Sequence, residues 1–353
     1  MSRIFCKSPF YVSISGAAND TTDVELRIWN GTGSAPVDPT YTLSKPIPST
    51  LITEVNYNIS EYIKRYLYFI AYQNIHNINN ASADTDQWCN VQVKRYKNGT
   101  LLGTDTYKAY YGYGYYSEGQ NVDLGGFLMD EGTYYYHYDP QWAILDYQTT
   151  PLLRFGSITF EATNGYSVLY TNLNTGATSS VSLSATKVQE IYKVNLLYRE
   201  DGNKVEFKDN LGNVLRTYYF RPVEACKYTP VVVDFVNRYG AFQREFFTGA
   251  SRTSQNVQSS QYQFMQNPDF YTTVGQFQEF NKNGKETIST NTGWLPEEYS
   301  EVIRQLMLSE RVLVNGRPAK VVTQNTELYE HINEKLINYK IDFEFAHYTQ
   351  TNV

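Results

Sequence analysis

From Tyr339 to Phe345 the chain alternates without a break, with Tyr339, Ile341, Phe343 and Phe345 set against Lys340, Asp342 and Glu344. Successive side chains of an extended chain point to opposite faces, so this period of two describes a strand with one buried and one wet face. Shorter stretches repeat the pattern at Leu26 and Ile28, at Val91 and Val93, and at Val205 and Phe207, while Val231-Val232-Val233 reads as a strand covered on both sides. Asn30-Gly31, Asn98-Gly99, Asn283-Gly284 and Asn315-Gly316 are dipeptides that accept the positive φ of tight hairpin turns. These signals predict a mainly β chain of antiparallel hairpins, arranged as two or three β-barrel or β-sandwich domains with two short flanking helices.

Composition sharpens this reading. Of the 353 residues 33 are tyrosine, and aromatics reach 16%. A tyrosine ring is apolar with a polar end, which suits strands, half-wet surfaces and contact interfaces. The formal charge of −6 argues against an electrostatic nucleic-acid binder. No window holds the roughly 20 apolar residues that a membrane-crossing helix needs, and the start, Met1 to Lys7, lacks the apolar run of a secretory signal. A soluble protein made in a cytoplasm, with no membrane partner, is the expectation, and the Asn-x-Ser/Thr triplets therefore carry no glycosylation argument.

Two helices interrupt the strand pattern. Near 60–72, Ser60 is placed to cap a segment whose Tyr62, Ile63, Tyr66, Leu67 and Ile70 share one face. Near 296–309, Pro296 and two acids open a helix with Tyr299, Val302, Ile303, Leu306 and Met307 on one stripe. Domain limits are drawn as an N-terminal β domain over 1–125, an irregular connection over 126–150, and a C-terminal β region over 151–353 with a sub-boundary near 185. Residues 249–270, rich in Ser, Gln and Asn, read as an extended surface loop or polar arm rather than a packed element.

Catalytic chemistry finds little footing. Cys6, Cys89 and Cys226 lie far apart with no CxxC pair, so neither a zinc site nor a disulfide framework is indicated. His76, His137, His331 and His347 form no HExxH or close pair. Gly112, Gly114 and Gly119 miss the GxGxxG spacing and read as turns among aromatics. The acids Glu118, Asp123, Asp130, Glu131 and Asp139 and the aromatics Tyr134, Tyr135, Tyr136, His137, Tyr138 and Trp142 offer a glycosidase-like composition, but solvated acids and buried or interfacial rings are the plainer account. The expectation is no catalytic residue, no cofactor and no metal.

Residues 225–247, ACKYTPVVVDFVNRYGAFQREFF, read as a hairpin: a buried strand from Val231 to Val236, a turn at Asn237 to Gly240, and a return strand carrying Phe242, Phe246 and Phe247. Arg238, Arg244, Asp234 and Glu245 are expected as exposed ion pairs across it or as contacts to a partner. The runs FVNRYGAFQREFF at 235–247, KAYYGYGYYSEGQN at 108–121, RIWNGTG at 27–33, TYTLSK at 40–45 and INYKIDFEFAHYTQTNV at 337–353 together resemble virion structural proteins of tailed bacteriophages, including the crass-like podoviruses of Bacteroidetes. The resemblance spans nearly the whole chain. It implies a ring, hub or tail-tube-like subunit of the tail or head–tail connector, assembled in the host cytoplasm, and it carries no active site.

The same resemblance implies a homo-oligomeric ring, six- or twelve-fold, that contacts other tail or connector proteins and lets genomic DNA pass without specific binding. The subunit interface is expected at Tyr110, Tyr111, Tyr113, Tyr115 and Tyr116, with Arg238, Arg244 and, on the arm, Phe264. Five rings on both sides of an extended chain exceed what one small core absorbs. A receptor- or carbohydrate-binding tail module and a tail-borne glycan hydrolase remain as alternatives.

Overall fold

A computed structural model describes residues 3–30, 33–67, 88–124, 134–138, 157–160, 165–183, 190–193, 202–223, 230–265, 268–269, 271, 273, 275–324 and 336–350. The chain divides into two compact units. The first takes Met1–His137, Trp142–Pro222 and Val236–Arg244; the second takes Tyr138–Gln141, Val223–Phe235 and Glu245–Val353. This division differs from the boundaries at 125 and 150 drawn from the sequence: residues 142–222 group with the first unit, as does the turn of the 231–247 hairpin. The sub-boundary near 185 lies outside the described residues, as does most of the connection at 126–150.

The N-terminal part of the first unit contains β1 (Arg3–Phe5), β2 (Tyr11–Ser15), β3 (Thr21–Trp29), β4 (Tyr41–Pro46), β5 (Glu54–Asn58), α1 (Ser60–Tyr66), β6 (Trp88–Lys97) and β7 (Thr100–Tyr110). Five strands form a sheet in the order β1-β7-β6-β3-β4, and β2 pairs with β5 in a separate ribbon. Alternation in the sequence places Val24, Leu26, Ile28, Val91 and Val93 on the inner sheet face, where they meet Val12, Ile14, Val55 and Tyr57 of the ribbon and Ile63 and Leu67 at the helix. This is a sandwich-like core. Asn98 and Gly99 both take positive φ and close the tight β6–β7 hairpin, as their sequence predicts.

Ser60 is not the helix cap. The cap position is Ile59; the Ser60 hydroxyl instead donates to the Ser8 carbonyl at 2.6 Å, and the Asn58 side chain accepts from the Ser60 amide at 3.2 Å. The helical reading beyond Leu67, including Ile70, falls outside the described residues.

The rest of the first unit carries β8 (Tyr134–Tyr138), β9 (Ser157–Phe160), β10 (Ser167–Asn172), β11 (Thr178–Ser182), β12 (Glu190–Lys193), β13 (Asn203–Lys208) and β14 (Val214–Val223). A five-stranded sheet runs β11-β10-β13-β14-β8, and β9 pairs with β12. Phe160, Val168, Val205, Phe207, Tyr218 and Phe220 fill the core beneath it.

A seven-stranded sheet joins β15 (Val231–Val236), β16 (Phe242–Phe247), β17 (Arg252–Gln263), β18 (Phe277–Pro296), β19 (Val312–Val314), β20 (Arg317–Val321) and β21 (Leu336–Phe345), in the order β16-β15-β19-β20-β21-β18-β17. The alternation of β21 is realised, with Ile337, Tyr339, Ile341, Phe343 and Phe345 all buried. A short 3-10 turn at Glu297–Tyr299 leads into α2 (Ser300–Met307), which buries Val302, Ile303 and Leu306 as the stripe predicts. Asn283-Gly284 is not a turn. It lies inside β18, where Gly284 accepts from the Thr349 amide at 2.8 Å and a Cβ would come within 2.7 Å of the Gln255 side chain.

The chain is therefore mainly β with two α-helices among the described residues. Its sheets are open and sandwich-like, and the barrel alternative is set aside because none of the described sheets closes on itself.

Candidate interaction surface

The tyrosine-rich segment after β7 and the turn at 237–240 meet inside the first unit. Tyr110 is fully buried with Phe5, Trp88 and Ala241. Gly112 then passes so close to the turn that a Cβ there would lie 2.3 Å from the Arg238 carbonyl oxygen, and Gly240, at φ 79°, leaves no room for a Cβ against the Tyr111 backbone. Across this contact the Tyr113 amide donates to the Arg238 carbonyl at 2.8 Å. Asn237 holds the turn itself, its side-chain oxygen accepting from the amides of Tyr239 and Ala241 at 3.0 and 3.1 Å.

Arg238 is clamped rather than exposed. Its Nη2 donates to both Glu118 carboxylate oxygens at 2.6 Å, and its guanidinium lies 4.4 Å from the centre of the Tyr115 ring. Burial works against its charge, but the hydrogen bond and the charge of Glu118 outweigh that and hold its pKa above the ordinary guanidinium value. Glu118 also accepts from the Tyr115 amide at 2.7 Å, so one carboxylate fixes both the ring and the cation above it. A cleft of about 450 Å³ opens beside this clamp, with Asn121 and Asp123 on its wall. The Asn121 side chain is engaged with the Tyr11 backbone at both its oxygen and its nitrogen.

The residues expected at the interface differ in their exposure within the chain. Tyr110, Arg238 and Arg244 are buried within the chain; Tyr111, Tyr113 and Tyr115 are half-buried; Tyr116 alone of the five rings is fully exposed. Tyr110 is absorbed because Phe5, Trp88 and Ala241, just past the turn, pack on it, which a one-dimensional count of tyrosines does not reveal. Asp234 and Glu245 are buried too, so none of the four charged residues of the hairpin forms the exposed pair expected of it. Of the glycosidase-like candidates, the aromatic run Tyr134–Tyr138 forms β8, and the acids Asp130, Glu131 and Asp139 and the ring of Trp142 lie outside the described residues.

Phe264 is exposed as expected, but its setting differs. The polar arm is β17, a twelve-residue strand whose every residue is exposed, paired along its length with β18. An antiparallel ribbon with both faces wet shows no alternation in its sequence, which is why Gln, Ser and Asn disguise it as a loop. Near the ribbon's end Tyr262 packs on Phe264 and Phe280, with ring centres 5.1 and 5.7 Å apart, and Tyr262 Oη is 2.5 Å from Gln278 Oε1. Phe277 and Met265 are exposed nearby, Met265 at 91%. Sequence reasoning misses this grouping; the spacing of Tyr262 and Phe264 by two is its trace.

No protein-family model matches the chain, and no curated protein matches it. Among solved structures, the crystal structure of CBD12 from CALX1.2 matches 58% of this chain and 75% of its own length at 9% identity, with a TM-score of 0.17 that is too low to carry an argument.

Proposed function

We propose that this chain is a structural subunit of a tailed-phage virion, placed in the tail or the head–tail connector ring and holding its neighbours through the β17–β18 ribbon. The observation that supports this most is the ribbon itself: a twelve-residue strand exposed along both faces, ending in a cluster of exposed aromatic rings. Past its pairing with β21 the outer part of this ribbon, where residues 260–263 pair with 277–280, continues as two strands alone, and exposed apolar clusters mark contact sites, so it is the shape of an arm that becomes buried on assembly. The clamp at Arg238 fits the same role, since it ties a long aromatic excursion into a rigid body that repeated contacts can rely on. The virion assignment rests on the sequence resemblance, and the arm is what makes an assembly subunit the best reading of the geometry.

Peptide mass spectrometry of purified virions, with an antibody against the chain to locate it by electron microscopy, tests this. The chain at the tail or portal vertex in a fixed copy number is the expected result. Its absence from virions, or glycan binding or cell-wall hydrolysis by the purified protein, overturns the reading in favour of one of the alternatives.

A further inference from the structure

Two of the edge strands, β17 and β11, share a property that sheet edges of soluble proteins normally avoid. From Thr253 to Gln263 the edge strand carries no charge and no proline, and β11, Thr178-Ser179-Ser180-Val181-Ser182, carries neither as well. Both are exposed at every residue. Natural edges are blunted by lysine, proline or a cover, because an open row of amides and carbonyls pairs with any matching strand. Two other edges are blunted in this way: β4 ends in Lys45-Pro46, and β16 has all six residues buried.

The hydrogen-bond parity of each edge shows which backbone groups face outward. Gly284 turns its carbonyl to Thr349, so its partner Val257 faces away from β18, and with it Gln255 and Thr253. On β11, the Leu183 amide donates to Tyr166 and the Ala177 carbonyl accepts from Asn172, both toward β10, which leaves Thr178, Ser180 and Ser182 facing outward. Three outward residues at every second position on one edge match three on the other. The match falls in the regular half of β17, before the irregularity between Gln258 and Ser260.

Charge points to the same occupant. The whole chain is acidic at −6, so copies repel in general. On the ribbon, however, Lys282 pairs with Glu279 at 2.6 Å, Lys285 with Glu344 at 3.3 Å and Glu286 with Arg317 at 2.7 Å. An uncharged edge beside self-neutralised charges is where a second acidic copy approaches without penalty.

From this we infer that Thr253–Val257 of one copy adds as a strand to Thr178–Ser182 of a second copy. The inference rests on the structural-subunit reading and gives it a contact. Because the two edges differ, the contact is head-to-tail and propagates from copy to copy, as a ring requires; an isologous β17-to-β17 contact would stop at a dimer.

Proline at an outward-facing edge position removes one intermolecular donor while leaving the internal ladder intact. Gln255→Pro and Ser180→Pro are each expected to keep the wild-type circular dichroism and to raise the concentration for half-assembly more than about tenfold, as losing one or two backbone hydrogen bonds implies. Mixed together, they are expected to give a one-to-one dimer that does not grow, since each supplies the edge the other lacks. Amide exchange at 253–257 and 178–182 should slow in the wild-type assembly. Assembly of either variant at the wild-type concentration, unprotected edges in the assembly, or failure of the folded variants to complement overturns the inference. A wild-type chain that stays monomeric also overturns it, and in that case detection of the chain in virions would leave the structural-subunit reading standing.

Discussion

Replacing Glu118 by glutamine removes the charge that holds Arg238 while keeping the shape of the side chain. In the folded protein the Arg238 side chain is only 9% exposed, and that of Glu118 is 33% exposed. Breaking a fully buried pair costs about 3–5 kcal/mol because a cation is stranded, whereas an exposed pair is worth under about 1 kcal/mol. With one partner buried and the other one-third open, Glu118→Gln should cost about 2 kcal/mol. The loss falls on the contact between the tyrosine segment and the 237–240 turn, whose reporter is the Tyr113 amide bonded to the Arg238 carbonyl. Opening that contact about 2 kcal/mol more easily speeds its hydrogen exchange about 30-fold. Amides in the β10–β13 ladder serve as the control and should not change. Exchange at Tyr113 within about twofold of wild type would refute the clamp, and equal acceleration at β13 would show a general loss of stability instead.

Gly240→Ala places a Cβ at positive φ and 2.8 Å from the Tyr111 backbone, so it should destabilise the first unit by at least about 2 kcal/mol in urea titrations. Burial, with a smaller push from Cys6, raises the Cys89 thiol far above its ordinary range, so iodoacetamide at about pH 8 should leave Cys89 unmodified in the folded chain and modify it in urea, as peptide mapping would show. The Glu344 carboxylate is held below its ordinary 4.5 chiefly by its hydrogen bond from Lys320, with Lys285 adding to it. A lowered folded-state pKa contributes stability above the unfolded value and loses it as pH falls through the folded one. Melting temperature should therefore fall below about pH 4.5, and Glu344→Gln should flatten that part of the profile.

Legibility tracks burial. β21, the 231–247 hairpin and α2 are readable because one face meets a core and the sequence must alternate or stripe to match. The Asn98-Gly99 turn is readable because few dipeptides take two consecutive positive φ values. β17 is not, since a ribbon wet on both faces places no periodic demand on its residues. The clamp is not either: Glu118 and Arg238 are 120 residues apart, and nothing local to either position signals the other. Charge on a hairpin reads as surface until a distant segment is found covering it, which is why Arg238, Arg244, Asp234 and Glu245 are expected outside and lie within. Tyr110 misleads for the same reason, its cover arriving from beyond residue 235.

Electron cryomicroscopy of the assembled particle, whether of the virion vertex or of the purified chain at high concentration, tests the assembly account most directly. The account predicts a closed cyclic array in which residues 252–263 of each copy are buried against the next. A monomeric chain absent from virions, or an array in which that ribbon stands free in solvent, would contradict it.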